Sequence, residues 1–98
     1  MMILAVFRSR THSLDYVERL HRYGVDASTE PAPKEAHIGC GLCVSFDVRL
    51  FSRAQAILKT GNYTSFKGFY KKEFLNGRIA IKPYVPADRQ NPADRQNK

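Results

Sequence analysis

The 98 residues contain no tryptophan and only two cysteines, Cys40 and Cys43. A bridge between positions so close would shut almost no loop and add little stability, so a disulfide-stapled scaffold is excluded. Free thiols suit a reducing compartment, and the chain reads as cytoplasmic. Long apolar runs are also missing. The opening Met2-Ile3-Leu4-Ala5-Val6-Phe7 is too short to span a bilayer. It lacks the basic start of a secretory signal as well, since Arg8 and Arg10 follow it, and no membrane role is expected. Acidic residues are scarce in the second half. Residues 51–98 carry ten Lys/Arg against Glu73, Asp88 and Asp94, whereas residues 1–50 balance six against six. The whole net charge of +7 therefore comes from the second half, most densely from Lys67 to Lys82. Such an excess aids solubility, and it also steers toward an acidic partner, an anionic substrate or nucleic acid.

What is present describes one small domain with a tail. A hydrophobic share of 43%, with six phenylalanines and five tyrosines, supports a modest core. Residues 2–8 read as a continuously apolar, central first strand. Ser9 and Thr11 are both credible N-caps for a helix over about 12–23, with Leu14, Val17, Leu20 and His21 on its inner face and Gly24 ending it. Val25, Ala27 and Thr29 alternate with polar residues as a short second strand, which Pro31-Ala32-Pro33 stops. Leu42, Val44 and Phe46 alternate with Cys43, Ser45 and Asp47 as a third. Asp47 can cap a second helix over about 48–60, whose buried face is Leu50, Ala54, Ile57 and Leu58 and whose end is Gly61-Asn62. Residues 63–70 give a fourth strand, and Asn76-Gly77 is a turn signal ahead of a short fifth.

The order β-α-β-β-α-β predicts an α+β fold of the ferredoxin-like, split βαβ kind, with two helices on one face of an antiparallel sheet. In that topology the first and third strands are central neighbours. Leu42, Val44 and Phe46 would face the helices, and Cys43 and Ser45 the opposite, open face. The expected divisions are a domain over 1–75, an extra strand over 76–85 and a tail over 86–98. In that tail Pro86–Asn91 is repeated identically as Pro92–Asn97. A polar duplication of this kind has nothing to bury and is expected to be disordered.

The chemistry concentrates in Lys34-Glu35-Ala36-His37-Ile38-Gly39-Cys40-Gly41-Leu42-Cys43. Gly39 and Gly41 on either side of Cys40 allow tight turns and close approach. Cys40 is thus expected to be an accessible thiol at the end of a loop, and Cys43, inside the strand, a secondary one. Lys34 and His37 are cations on the same loop that could favour a thiolate.

With this layout the chain resembles the selenium/sulfur (Se/S) carrier-like family of small bacterial domains, over roughly residues 2–75. The resemblance rests on the apolar first strand, Gly24, the Pro31-Ala32-Pro33 entry and, above all, Ile38-Gly39-Cys40-Gly41-Leu42. It implies that Cys40 holds sulfur or selenium as a persulfide or its selenium analogue, taken from a donor protein and given to an acceptor. A carrier without cofactor is implied, more than an independent enzyme. Cys43 and the basic, repeated tail look like additions to the family's pattern.

Other readings start from the same residues. The CxxC spelling suggests a redox pair, but extended backbone would hold the two alpha carbons roughly 10 Å apart, and a disulfide needs less than ~7 Å. His37, Cys40 and Cys43 offer three zinc ligands, with a fourth to come from His12, His21 or a carboxylate. His12 otherwise reads as an exposed helix-start residue and His21 as a core-edge one. A nucleic-acid-binding sheet is the remaining alternative, with Phe66, Phe69, Tyr70 and Phe74 among lysines as the stacking surface. Core completion or a homodimer contact would account for the same aromatics.

Overall fold

The structure, a computed structural model, describes residues 1–37 and 41–85. The chain runs β1 (Met2–Phe7), α1 (Arg10–Arg22), β2 (Ser28–Pro31), β3 (Leu42–Asp47), α2 (Phe51–Thr60), β4 (Phe66–Leu75) and β5 (Arg78–Pro83). Single 3₁₀ turns occupy Lys34–Ala36 and Val48–Leu50. The strands form one antiparallel sheet in the order β2-β3-β1-β4-β5. The first four in that order make the split βαβ arrangement: β1 and β3 are central neighbours, and each helix crosses between two strands separated by one other. The fifth is added outside β4 through the Asn76-Gly77 turn, where both residues have positive φ, 52° and 80°.

Local signals explain most element ends. Ser9 caps α1, its hydroxyl accepting from the His12 N–H, and Gly24 follows the helix in the left-handed region. Asp47 caps the 3₁₀ turn ahead of α2 by accepting from the Arg49 N–H. Several boundaries depart from the pattern reading. Val25 and Ala27 are buried in the approach to β2, which itself begins at Ser28 and still includes Pro31 at the sheet edge, where proline's missing N–H costs little. On α1 the buried residues are Ser13, Tyr16 and Leu20. Leu14, expected on that face, is 52% exposed because the inner stripe runs one residue out of phase with it.

The main core lies between sheet and helices. Ile3, Ala5 and Phe7 of β1 and Val44 and Phe46 of β3 meet Tyr16, Leu20, Phe51 and Ala54. Phe66 and Phe69 join them from β4, although regular pleating would send residues three apart to opposite faces. A β-bulge resolves the conflict. Phe66 pairs with Phe7 and Gly68 with Val6, so Lys67 is an extra residue in β4. Gly68 takes φ +142°, which side-chain-bearing residues rarely adopt, and the bulge returns Phe69 to the helix side. Phe66 and Phe69 sit edge-on at 5.0 Å and continue through Phe51 to Tyr84. These two rings thus complete the core and do not form a stacking surface on an open face.

Candidate functional site

The cysteine region is the connection between β2 and β3. Glu30 pairs with Cys43 and Pro31 with Leu42, and the Ala32 N–H donates to the Gly41 carbonyl at 3.0 Å. These bonds close a hairpin whose loop begins with Pro33 and ends before Gly41. Within it, Lys34–Ala36 makes one 3₁₀ turn and His37 ends that turn in the left-handed region, φ 55°. Ala36 is buried, whereas Lys34, Glu35 and His37 are exposed. The expected carrier thiol, Cys40, lies with Ile38 and Gly39 outside the described residues, as does the repeated tail from 86 onward.

Cys43 is described in full, and its surroundings correct one expectation. It does occupy the face opposite the helices, but that face is closed over it. Cys43 is 0% exposed, in a second cluster with Leu4, Val6 and Ala36, flanked by Ala32, Tyr70 and Ile81. The 3₁₀ turn folds back to seat Ala36 there, and the β4–β5 hairpin contributes Tyr70 and Ile81. Across the same face Lys72 of β4 bonds Glu30 of β2 at 2.9 Å, joining strands that β3 and β1 separate. The Cys43 thiol has only a weak contact, 3.8 Å, to the Pro31 carbonyl. Burial pushes it up to about 12, and the Glu30 carboxylate adds to the shift while Lys72 opposes it. It is a free thiol, held neutral at physiological pH.

The other sequence candidates disperse. Nδ1 of His12 lies 2.6 Å from the Ser65 hydroxyl, which also accepts from the Ser9 N–H. Nε2 of His21 lies 2.6 Å from the Ala27 carbonyl, tying α1 to the approach to β2. Among the described residues no three of His, Cys, Asp and Glu gather as a metal would require; a set containing Cys40 falls outside them. Among the described residues, too, no helix is long and apolar enough to cross a membrane.

Sequence reasoning missed a polar cluster at the same end of the sheet. Tyr63 donates to Asp15 at 2.5 Å and accepts from Arg19 at 3.1 Å, with Arg19 and Asp15 3.6 Å apart. The Asp15–Arg19 spacing of i,i+4 was a visible signal, but nothing local announced Tyr63, 48 positions away. Ser13, buried on α1, donates to the Leu42 carbonyl at 2.8 Å and so fixes the first residue of β3 against the helix.

The geometry defines a two-layer split βαβ domain in which a long hairpin loop leads directly into the central, cysteine-bearing strand. Over residues 2–71 the chain matches the family described as "Putative Se/S carrier protein-like", and it belongs to that family. No curated protein and no solved structure matches the chain. The matched span ends part-way along β4, so the outer half of that strand and β5 lie beyond it.

Proposed function

We propose that this protein carries sulfur or selenium on Cys40, as a persulfide or its selenium analogue, between a donor and an acceptor protein. The observation that carries the assignment to Cys40 concerns the other cysteine. Cys43 is sealed from solvent and its thiol is pushed up to about 12, so the attacking thiolate of this family member falls to Cys40. The Cys40 thiolate attacks the terminal sulfur of a donor persulfide. A sulfur–sulfur bond forms on Cys40 as the donor's own breaks, and the donor leaves as a thiolate. The acceptor's thiolate repeats the exchange on the carrier, so no net oxidant or reductant is consumed. On this reading Gly39 and Gly41, which flank Cys40 in sequence, would allow a partner close approach, and Lys34, a cation on the same connection, would favour the thiolate. A reducing, cytoplasmic setting suits this chemistry, with residues 1–75 as the carrier unit and the remainder as additions.

Intact mass spectrometry after incubation with a persulfide-generating enzyme tests the proposal. Cys40→Ala should abolish the reductant-sensitive +S adduct, and Cys43→Ala should retain most of it. Equal loss in both variants would favour a paired-cysteine redox site, and no loss in either would remove the carrier reading.

A further inference from the structure

On the helix side of the sheet a groove of about 380 Å³ runs between α2 and the β4–β5 hairpin. Its floor is Phe66, Phe69 and Tyr84, and Leu58 forms a wall. The floor is rigid. Phe66 packs tilted against Phe7 at 5.3 Å, Phe69 stands edge-on to Phe51 at 4.8 Å, Tyr84 stands edge-on to Phe51 at 5.1 Å, and the Tyr84 N–H donates to the Phe69 carbonyl at 2.9 Å. These rings are only half-buried in the core, and their remaining surface lines the groove.

The rim is cationic. Lys59 of α2 and Lys67 of β4 both line the groove and are exposed. Neither has a carboxylate partner among the described residues, unlike Lys71 and Lys72, which pair with Glu73 and Glu30. No Asp or Glu is among the described residues of the lining. Lys67 is, moreover, the residue that the bulge inserts. A Cβ on Gly68 would meet nothing within 4 Å, so glycine is required there for its φ of +142° and not for close packing. The strand gives up a regular ladder at this point, and the result is a cation without a carboxylate partner among the described residues, beside two aromatic rings set edge to face. A largely apolar cavity of this size with a few convergent polar groups has the character of a small-molecule site.

We infer that the groove binds a small organic anion, its flat apolar body on the Phe66–Phe69–Tyr84 floor and its carboxylate between Lys59 and Lys67. The charge complementarity selects an anion over a neutral or cationic ligand, and the volume limits it to one or two fused rings. The site lies close to the thiol end of the sheet: Cys43, Val6 and Gly68 occupy one row across β3, β1 and β4. That places the bulge two strand spacings, or ~10 Å, from the Cys43 backbone, on the other side of the sheet from its thiol.

The test is an amide-resolved NMR titration of the full chain with indole-3-acetate as probe and neutral indole-3-acetamide as control. The acid should give saturable shifts centred on Lys59, Lys67, Gly68 and Tyr84, and the amide should bind about three- to tenfold more weakly, as two exposed charge contacts imply. In K59Q/K67Q the acid should fall to the affinity of the amide while the amide is unchanged. Because both lysines are exposed, this variant should keep the fold. Equal binding of acid and amide to the wild type, shifts mapping elsewhere, or no saturable binding of either at millimolar concentration would each overturn the inference. A last arm uses D88N/D94N without ligand. Unmoved Lys59 and Lys67 resonances support an open site, and moved ones mean that the chain's own acidic residues fill the groove and the inference is wrong.

Discussion

Gly61 offers a substitution whose sign can be reversed by a second one 2 positions away. It ends α2 with φ −99° and ψ 167°, an extended conformation open to any residue, so its lack of a side chain is not a backbone requirement. The requirement is space. A methyl group there would lie 2.7 Å from Cζ of Tyr63, 3.0 Å from Cδ2 and closer still to Cε2. The ring cannot swing aside cheaply, because it packs against Phe7 at 5.4 Å, His12 at 5.5 Å and Tyr16 at 5.7 Å. Its hydroxyl is also held by Asp15 and Arg19.

Overpacking of this kind costs about 1–3 kcal/mol. Against it stands the lower unfolded-state entropy of alanine, worth about 0.4–1 kcal/mol where the conformation suits it, as here. Gly61→Ala should therefore destabilise the protein by about 1.3 kcal/mol at the centre of a range that reaches ~2.6 kcal/mol. With Tyr63→Ala in place the obstruction is gone, and the same change should stabilise by about 0.4–1 kcal/mol. The four urea denaturation midpoints of the cycle, at constant slope, read both numbers. Equal destabilisation in the two backgrounds would refute the reasoning, because it would locate the glycine's role in the backbone.

The remaining predictions concern charge and protonation. The raised Cys43 pKa gives stability that is fully present below the unfolded thiol value near 9 and is lost as pH rises toward about 12; Cys43→Ala should flatten the decline between pH 9 and 10, before the buried Tyr16, also shifted upward by burial, adds its own. Asp15 behaves in the opposite sense. The Tyr63 hydroxyl holds its carboxyl below the ordinary aspartate value, so its contribution is present above about pH 4 and disappears on further acidification, and Asp15→Asn should remove that part of the acid limb. In the basic segment Lys71 and Lys82 face each other directly across β4 and β5, and replacing both by Gln should weaken association with an acidic persulfide donor at low salt, with the difference fading as the screening length falls to ~8 Å. Unchanged association at low salt would mean that the segment attracts no partner.

The fold was legible in the sequence wherever a short-range signal was sufficient. Alternation in β3, the Ser9 and Asp47 caps and Asn76-Gly77 each act within a few residues, and strand order follows once five strands and two helices are counted. The errors share a different cause. Leu14 was misplaced, and Leu50 was named on the inner face of α2 where Phe51 is the buried residue, because a hydrophobic stripe leaves its phase uncertain by one residue until a partner surface fixes it. Phe66 and Phe69 read as candidates for an exposed surface because the bulge that brings them to one face is signalled only by Gly68. Gly61 does end α2 as read, but what requires glycine there, the Tyr63 ring held by α1, lies outside any local signal.

Cys43 shows most clearly what local pattern leaves undecided. Alternation correctly sends it to the face away from the helices, and the sequence reading takes that face to be open while ranking Cys43 as the secondary thiol. Whether a sheet face is open depends on what the rest of the chain lays over it, and here the covering residues come from separate places: Ala36 from the loop, Tyr70 from β4, Ile81 from the added β5, and the Glu30–Lys72 bridge from opposite sides of the sheet. Ile81 lies beyond the span matched by the family, and Lys72 is the first residue after it. Part of the lid over Cys43 is therefore built by residues beyond the matched span. That coupling gives the segment beyond the matched span a physical consequence at the cysteine end of the domain: it helps to close the sheet face over Cys43 and so to hold that thiol neutral and out of reach.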